Sequence, residues 1–234
     1  MKYLKPDSAI PSQEMASDFQ ESKALLESRL MALRERSVAP ESQAPLPQAL
    51  LQLEIARVLV DLERGNEAWG PARKAFDRLV ALEQWEQATE ASEILFLADQ
   101  PDSLVALGHA IWLAVTYPVN PELTVAMLQH VVHETPKDAD GAAVAAATAH
   151  YIVELRAEDK ERENLGFFTS RMLATVARQH SNVKEQPEFD AWVKRLELDD
   201  PAKFLVRLRN VVDVLVQDQW WFDRTALQEK LPVN

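Results

Sequence analysis

Apolar side chains recur three and four residues apart along most of this chain, and this spacing is the strongest constraint on its fold. Leu51, Ile55, Val58, Leu59 and Leu62 follow the i, i+4, i+7, i+8, i+11 pattern of one helix face. The 234 residues include five glycines, whereas all-β and dinucleotide-binding folds need glycine at tight turns. The pattern therefore predicts an all-α fold of paired antiparallel helices, either a helical repeat or a compact multi-helix bundle.

Prolines and capping residues divide the chain into segments. Residues 1–11 lack an apolar period and are predicted to be a flexible tail. Residues 12–36 are predicted to form an amphipathic helix that serves as a cap or an arm. A proline-rich linker follows over 37–46. Residues 47–234 are predicted to form a single helical domain beginning at Pro47, because proline suits the first helical position.

The same signals predict the helices inside this domain. Asn120-Pro121 and Asp200-Pro201 each place an N-cap before a proline, and Gly65-Asn66 separates the first two helices. The predicted helices span about 47–64, 66–81, 85–98, 101–115, 121–134, 142–157, 160–180, 187–196 and 201–215, with a final turn over 224–230.

The chain has no cysteine, which excludes disulfides, iron–sulfur clusters, zinc–thiolate sites and a thiol nucleophile. The basic start from Met1 to Asp7 is not followed by the apolar run of a signal peptide. The sequence also has no 18-residue apolar stretch. We therefore expect a cytoplasmic protein that does not span a membrane.

Acidic residues outnumber basic ones by 37 to 25, which gives a formal net charge of −12 and a sequence pI near 4.9. A nucleic-acid-binding protein usually needs a concentrated cationic face, so nucleic acid is an unfavourable partner. The charge favours solubility and a basic protein partner. On charge alone, an acidic nucleic-acid mimic or a transcriptional regulator remains an alternative.

The first predicted hairpin resembles a known repeat. The residues that carry the likeness are small or apolar positions around one turn: Ala56, Leu59, Gly65, Asn66, Ala72, Phe76 and Leu79. A small residue and an aromatic four positions apart on the second helix are typical of the tetratricopeptide repeat, so residues 50–83 resemble a degenerate hairpin of that family. The spacing between Gly65 and Ala72 is about two residues longer than in the family, and no clean 34-residue period recurs. The resemblance implies a superhelical scaffold that binds a peptide or protein.

Two predicted helix faces combine histidine with glutamate. His130 and Glu134 are four residues apart, as are His150 and Glu154, and His133 lies next to the first pair. Antiparallel packing of these helices would bring nitrogen and oxygen ligands together, as in the metal sites of helical bundles. Neither the Glu-x-x-His pairs of such sites nor a His-Glu-x-x-His motif occurs here. A hydrogen-bonded core histidine at position 130 is the competing interpretation.

Adjacent aromatic residues are the other candidate site. Trp220, Trp221 and Phe222 cannot all face one side of a helix. Exposed clustered aromatics make interface anchors, whereas docking on the chain's own body would make them the last core layer. Trp112, close to the Tyr117-Pro118 turn, has the same two interpretations. These four aromatic residues are the predicted partner-binding positions.

The sequence contains no Gly-x-Ser-x-Gly elbow, phosphate-binding loop or dinucleotide motif, so we predict neither a catalytic residue nor a cofactor. It favours a non-catalytic adaptor, chaperone or assembly factor that binds a protein or peptide between helix pairs. A helical-bundle metalloenzyme using the His/Glu residues is the alternative. Residues 12–36 are also a candidate contact between copies in a homo-oligomer.

Overall fold

The computed structural model describes residues 13–39 and 44–231, with the backbone alone for residues 13–21. Within these residues all regular structure is helical, as predicted. The helices are α1 (Gln13–Ser37), α2 (Pro45–Asp61), α3 (Gly65–Ala81), α4 (Trp85–Leu97), α5 (Ser103–Thr116), α6 (Pro121–Glu134), α7 (Asp140–Arg156), α8 (Asp159–Ser181), α9 (Gln186–Arg195), α10 (Pro201–Val216) and α11 (Arg224–Glu229). None of the described helices is long and apolar enough to cross a membrane. The predicted tail over 1–11 and four residues of the predicted linker lie outside the described residues.

Helix boundaries follow the capping signals to within about two residues. Asn120 Oδ1 accepts hydrogen bonds from the backbone N–H groups of Glu122 (2.8 Å) and Leu123 (3.2 Å), so α6 begins where the sequence predicts. Helix α5 begins later than predicted because the residues after Gln100 form a turn, in which the Gln100 N–H donates to Ser103 Oγ (2.8 Å). The proline at position 101 therefore lies in the turn before the helix.

The chain divides into two compact units. The first unit contains the described residues up to His109 and those from Val216 onward, and the second unit is Ala110–Leu215. The division falls within α5 and at the end of α10. The single domain over 47–234 stays a prediction.

In the first unit α1 to α4 pack as consecutive neighbours, and α2 also contacts α4. Leu30 and Leu33 of α1 are buried in the same apolar cluster as the inner face of α2. Arg64 at the corner between α2 and α3 forms ion pairs with Glu27 of α1 (3.2 Å) and Glu67 of α3 (2.6 Å). Helix α1 therefore covers the apolar face of α2, and apolar burial supplies most of the free energy of that contact.

Gly65, the first residue of α3, permits a close backbone approach. A Cβ built on Gly65 would lie 2.1 Å from the carbonyl oxygen of Ala98, which follows α4. The apolar side chains of the tetratricopeptide-like pattern on either side of this turn are buried, namely Ala56, Leu59, Ala72, Phe76 and Leu79. The turn glycine thus sets how closely the corner between α2 and α3 can approach the end of α4.

Three helix ends close in the same way, with a glutamate in the left-handed conformation after a leucine. Glu63, Glu83 and Glu197 have φ angles of 59°, 57° and 52°. In each case the next backbone N–H donates to the carbonyl five residues earlier: Arg64 to Leu59 (2.8 Å), Gln84 to Leu79 (2.9 Å) and Leu198 to Val193 (3.0 Å). This Schellman closure satisfies carbonyl groups that the end of a helix leaves unpaired.

In the second unit α6, α7 and α8 repeat the arrangement of α2, α3 and α4, since neighbours pack consecutively and α6 also contacts α8. Residues 142–149 of α7 are all buried, because their small side chains let the adjacent helices approach closely. Helix α9 packs on α8 and buries Trp192. Tyr151 of α7 meets Phe204 of α10 edge to face, with ring centres 5.7 Å apart.

Arg156 closes the C-terminal end of α5 within the second unit. Its guanidinium group donates to the carbonyl oxygens of Ala114 (2.7 Å), Val115 (2.8 Å) and Val119 (3.4 Å). Burial lowers the pKa of Arg156. The guanidinium therefore acts as a side-chain cap for carbonyl groups that have no partner within their own helix.

Candidate peptide-binding site

The chain re-enters the first unit at Val216, and the non-helical residues that follow, 217–223, form what we call the return segment. Gln217 and Asp218 have φ angles of 50° and 62°, which turn the chain away from the direction of α10. Trp220, Trp221 and Phe222 then lie outside any helix. Because they are not restricted to helical geometry, all three rings contact the same group of side chains.

Trp221 is the centre of this group. The guanidinium carbon of Arg73 lies 4.0 Å from the centre of the Trp221 indole, and the His109 ring stacks on the indole at 4.4 Å and 17°. Phe76 and Trp69 meet Trp221 edge to face, at 5.6 Å and 6.3 Å. A cation–π contact and aromatic pairs of this kind each contribute about 0.5–2 kcal/mol beyond burial of area.

Helix α3 supplies most of the surface that receives Trp221. Trp69, Arg73 and Phe76 are spaced i, i+4, i+7, so they share one face of that helix. Phe76 and His109 are completely buried, whereas Trp69, Arg73 and Trp221 are half-buried. The site therefore has a closed apolar floor and a rim that is open to solvent.

His109 binds the backbone of the return segment. Its Nδ1 lies 2.7 Å from the carbonyl oxygen of Val105, which can only accept a hydrogen bond. Its Nε2 accepts the backbone N–H of Trp221 at 3.1 Å. These two partners require a neutral imidazole with its proton on Nδ1. Burial is the main cause that lowers the pKa of His109 to about 4. The hydrogen bond to the Val105 carbonyl opposes this shift, and the Arg73 charge adds a smaller lowering effect.

The rings on either side of Trp221 pack against the same histidine. Trp220 and Phe222 each have ring centres 5.3 Å from that of His109, and both meet it edge to face. Phe222 also lies 6.1 Å from Phe76. The guanidinium carbon of Arg224 lies 4.6 Å from the centre of the Trp220 ring. The three consecutive aromatics thus contact Trp69, Arg73, Phe76 and His109, and Trp220 also contacts Arg224 at the start of α11.

The chain beyond the return segment is also attached to the first unit. Asp223 Oδ1 accepts the backbone N–H of Ala226 (3.0 Å) and so caps α11. Leu227 of α11 is buried, and Lys230 donates to Glu83 at the end of α3 (2.7 Å). The C-terminal end of the return segment is therefore anchored to the first unit through α11 and Lys230.

The surface holds the return segment through both backbone and side-chain contacts. His109 is fully buried, and both of its ring nitrogens are engaged with backbone groups. It is therefore not free to act as a general acid or base. The surface instead binds one main-chain N–H and several side chains of a segment without helical structure, as peptide-recognition sites do.

Trp112, the fourth predicted partner-binding residue, has a different position. It belongs to the second unit, is buried, and meets Tyr117 edge to face with ring centres 6.0 Å apart. This burial corresponds to the core-packing interpretation of Trp112. A role for Trp220, Trp221 and Phe222 in binding a partner stays a prediction.

The five predicted metal ligands are not gathered into one site. No group of three or more His, Asp or Glu side chains in the described residues could hold a metal ion. His150 Nδ1 lies 3.0 Å from Thr169 Oγ1 of α8, and Glu154 on the same face is exposed. His130 is half-buried, and His133 and Glu134 are exposed. The face of α7 that carries His150 therefore contacts α8.

Asp140, His180 and Ser181 form a hydrogen-bonded chain in the second unit that the sequence did not suggest. His180 Nε2 lies 3.1 Å from Asp140 Oδ1, and its Nδ1 lies 2.7 Å from Ser181 Oγ. Trp192 Nε1 also donates to His180 Nδ1 (3.3 Å), and Arg195 donates to Ser181 Oγ (2.9 Å). Through these hydrogen bonds the chain joins α7, α8 and α9.

Sequence reasoning found the return segment but missed the surface that receives it. Trp69 and Phe76 fit the apolar stripe of α3, and that stripe could have pointed to Arg73 as a cation between two aromatics. His109 gave no signal beyond its position on an apolar helix.

Comparisons with models of protein families, with curated proteins and with solved structures find no match to this chain.

Proposed function

We propose that this protein is a non-catalytic interaction scaffold of tetratricopeptide-like construction, whose first unit binds an extended, aromatic protein segment. The observation that carries the proposal is the binding of Trp221 by helix side chains through both its ring and its backbone N–H. The return segment occupies this surface in the same chain. A partner with adjacent aromatics would occupy it in its place.

The helix arrangement supports the tetratricopeptide-like part of the proposal. In both units a helix packs on its neighbour and also on the helix after that, which is how paired helices stack in a superhelical repeat. The alternate helices that begin at Pro45, Trp85, Pro121 and Asp159 start 40, 36 and 38 residues apart. These intervals are close to the tetratricopeptide period of about 34 residues, but they are longer and less regular.

The direct test supplies the return segment as a separate molecule. The probe is a fluorescein-labelled peptide with the sequence of residues 218–224, added to full-length protein carrying Trp221→Ala. We expect the variant, whose own segment has lost its anchor, to bind the peptide at least about tenfold more tightly than the wild type does.

Two matched controls make this experiment specific. A peptide with alanine in place of its second tryptophan should bind neither protein, because the indole is the group that Arg73 and His109 hold. Adding Arg73→Gln to the Trp221→Ala variant should weaken peptide binding by about tenfold. A folded Trp221→Ala protein that fails to bind the natural peptide would contradict the proposal.

A second experiment addresses partners other than the chain itself. Full-length protein is used to isolate binding proteins from cell extract at low ionic strength, and each candidate is then purified and its affinity measured directly. The proposal predicts a stoichiometric partner whose binding is competed by the 218–224 peptide. Absence of any stoichiometric partner, or a partner that the peptide does not displace, would count against it.

A further inference from the structure

A surface cleft of about 360 Å³ lies in the second unit, between α7, α8 and the start of α9. Leu173, Val183 and Phe189 contribute its apolar lining, and all three are half-buried. This volume is enough for a small organic molecule. The cleft is separate from the return segment and its surface, which belong to the first unit.

His150 presents a hydrogen-bond acceptor at this cleft. The Thr169 hydroxyl donates its single proton to the Leu165 carbonyl (2.9 Å), so it accepts the Nδ1–H of His150 (3.0 Å). Thr169 is completely buried and His150 is half-buried, which places Nδ1 on the inner side of the ring. In its neutral form the ring therefore has Nε2 as its acceptor, and His150 is one of the residues that line the cleft.

Two cationic side chains lie beside this acceptor. Arg178 and Lys184 line the cleft and are exposed, and neither forms an ion pair in the described part of the chain. Glu185, also in the lining, is the one carboxylate there. The lining itself thus carries two cationic groups and one anionic group, and the Glu188 carboxylate beside the lining interacts with the charge of Lys184.

The loop that carries Lys184 is fixed without any ligand. Glu188 Oε2 accepts the backbone N–H groups of Lys184 (2.8 Å) and Glu185 (3.3 Å). These hydrogen bonds lower the pKa of Glu188 because they stabilise its charged form. The loop therefore holds its position before a ligand arrives, which reduces the entropy lost on binding.

We propose that this cleft binds a small organic anion that combines a carboxylate or phosphate, an apolar body and one hydrogen-bond donor. Arg178 and Lys184 bind the anionic group. Leu173, Val183 and Phe189 pack against the apolar body. His150 Nε2 accepts the donor, and Glu185 disfavours a second negative charge. The site stands independently of the proposed peptide-binding function.

The test follows the His150 ring by NMR in full-length protein during titration with 4-hydroxybenzoate or 4-hydroxyphenyl phosphate, which differ only in the anionic group. We expect saturable shifts with a dissociation constant of about 1 mM or lower for at least one of these probes. 4-Hydroxybenzyl alcohol, which lacks the anion, and inorganic phosphate, which lacks the apolar body, should each bind at least about tenfold more weakly. The better of the two anionic probes identifies the anionic group.

Variants locate the binding to the cleft. Arg178→Gln should weaken binding about tenfold, whereas Arg171→Gln, on the same helix but outside the lining, should leave the affinity unchanged. Phe189→Ala should weaken binding without changing the preference for an anion, and it serves as the second variant if Arg178→Gln does not fold. Absence of saturable shifts with both probes, equal affinity for inorganic phosphate, or retained affinity in Arg178→Gln and Phe189→Ala would overturn the proposal.

Discussion

At the scale of single residues, the two nitrogens of His109 fix one protonation state. Nε2 accepts the backbone N–H of Trp221. A second proton on the ring would occupy Nε2 and so break this hydrogen bond. The surroundings cannot easily stabilise the charge, because the side chain is fully buried and Arg73 lies nearby. Docking of the return segment is therefore linked to the ionisation of one buried histidine.

This linkage predicts a loss of stability in mild acid. Burial lowers the pKa of His109 from 6.5 to about 4. As pH falls below 6.5, the unfolded chain takes up a proton that the folded chain does not, so the free energy of unfolding decreases until pH reaches about 4. The expected loss is on the order of 3 kcal/mol.

Urea denaturation across this pH range measures the effect, with His109→Gln as the matched variant. Gln keeps a hydrogen-bond acceptor but does not titrate. The variant should be less stable than the wild type at neutral pH and should lose less stability between pH 6.5 and 4. Parallel pH profiles for the two proteins would show that His109 is not the linked group.

Two glycines of α3 should respond differently to the same substitution. Gly65→Ala would place a methyl group 2.1 Å from the Ala98 carbonyl oxygen, so the backbone must shift. We expect a cost of about 2 kcal/mol or more. Gly70 has no atom of a packed neighbour within 4 Å of the same position, but in Gly70→Ala the new Cβ meets the ring of Pro71, which opposes the helix-propensity gain. We therefore expect stability to change by less than about 1 kcal/mol. Thermal and urea denaturation measure both, and equal effects would contradict the close approach at Gly65.

At the scale of helices, the left-handed glutamates store a small strain at each corner. An L-residue in this conformation costs about 1 kcal/mol relative to glycine. Glu63, with φ 59°, is exposed. Glu63→Gly should therefore stabilise the protein by about 1 kcal/mol, whereas Glu63→Ala, which keeps the Cβ, should not. Denaturation midpoints at constant m-value test the pair, and equal gains in both variants would show that loss of the charge is responsible.

Most helix boundaries were predictable because capping is local. The Asn120-Pro121 signal succeeds because the N-cap oxygen and the N–H groups it accepts are two and three residues apart. Periodicity likewise placed Ala72, Phe76 and Leu79 on the buried side of α3. Each of these contacts depends on residues within about two helical turns of one another, so a single sequence contains the necessary information.

The candidate sites were less predictable because they depend on which helices become neighbours. The spacing of His150 and Glu154 shows that they share a helix face, but it does not say whether that face meets α6 or α8. The structure places His150 against Thr169 of α8, 19 residues later in the chain. The hydrogen bond from Trp221 to His109 spans 112 residues, and no periodic pattern reports such a contact.

At the scale of the whole molecule, the first unit is discontinuous in sequence. The chain leaves it at His109 and returns at Val216, after all of the second unit has been traversed. Contacts within α1 to α4 close short loops, whereas docking of the return segment closes a loop longer than one hundred residues. Loop-closure entropy makes such long-range contacts late events in folding.

Late docking of the return segment predicts how the stability lost in Trp221→Ala divides between the folding rate and the unfolding rate. Trp221→Ala removes the contacts with Arg73, Phe76 and His109 and should cost about 2–4 kcal/mol. If these contacts form after the transition state, refolding should keep its rate while unfolding accelerates by about 100-fold. Stopped-flow circular dichroism measures both rates without relying on the altered tryptophan content.

A substitution within the locally connected part of the same unit is the appropriate comparison. Leu79 is buried in α3, whose packing partners α2 and α4 are adjacent in the chain. Leu79→Ala should therefore slow refolding as well as accelerate unfolding. If most of the free energy of unfolding lost in Trp221→Ala appears as slower refolding, the return segment must already be docked in the transition state. It would then be part of the folding nucleus. A partner that binds the same surface would then displace the return segment less readily.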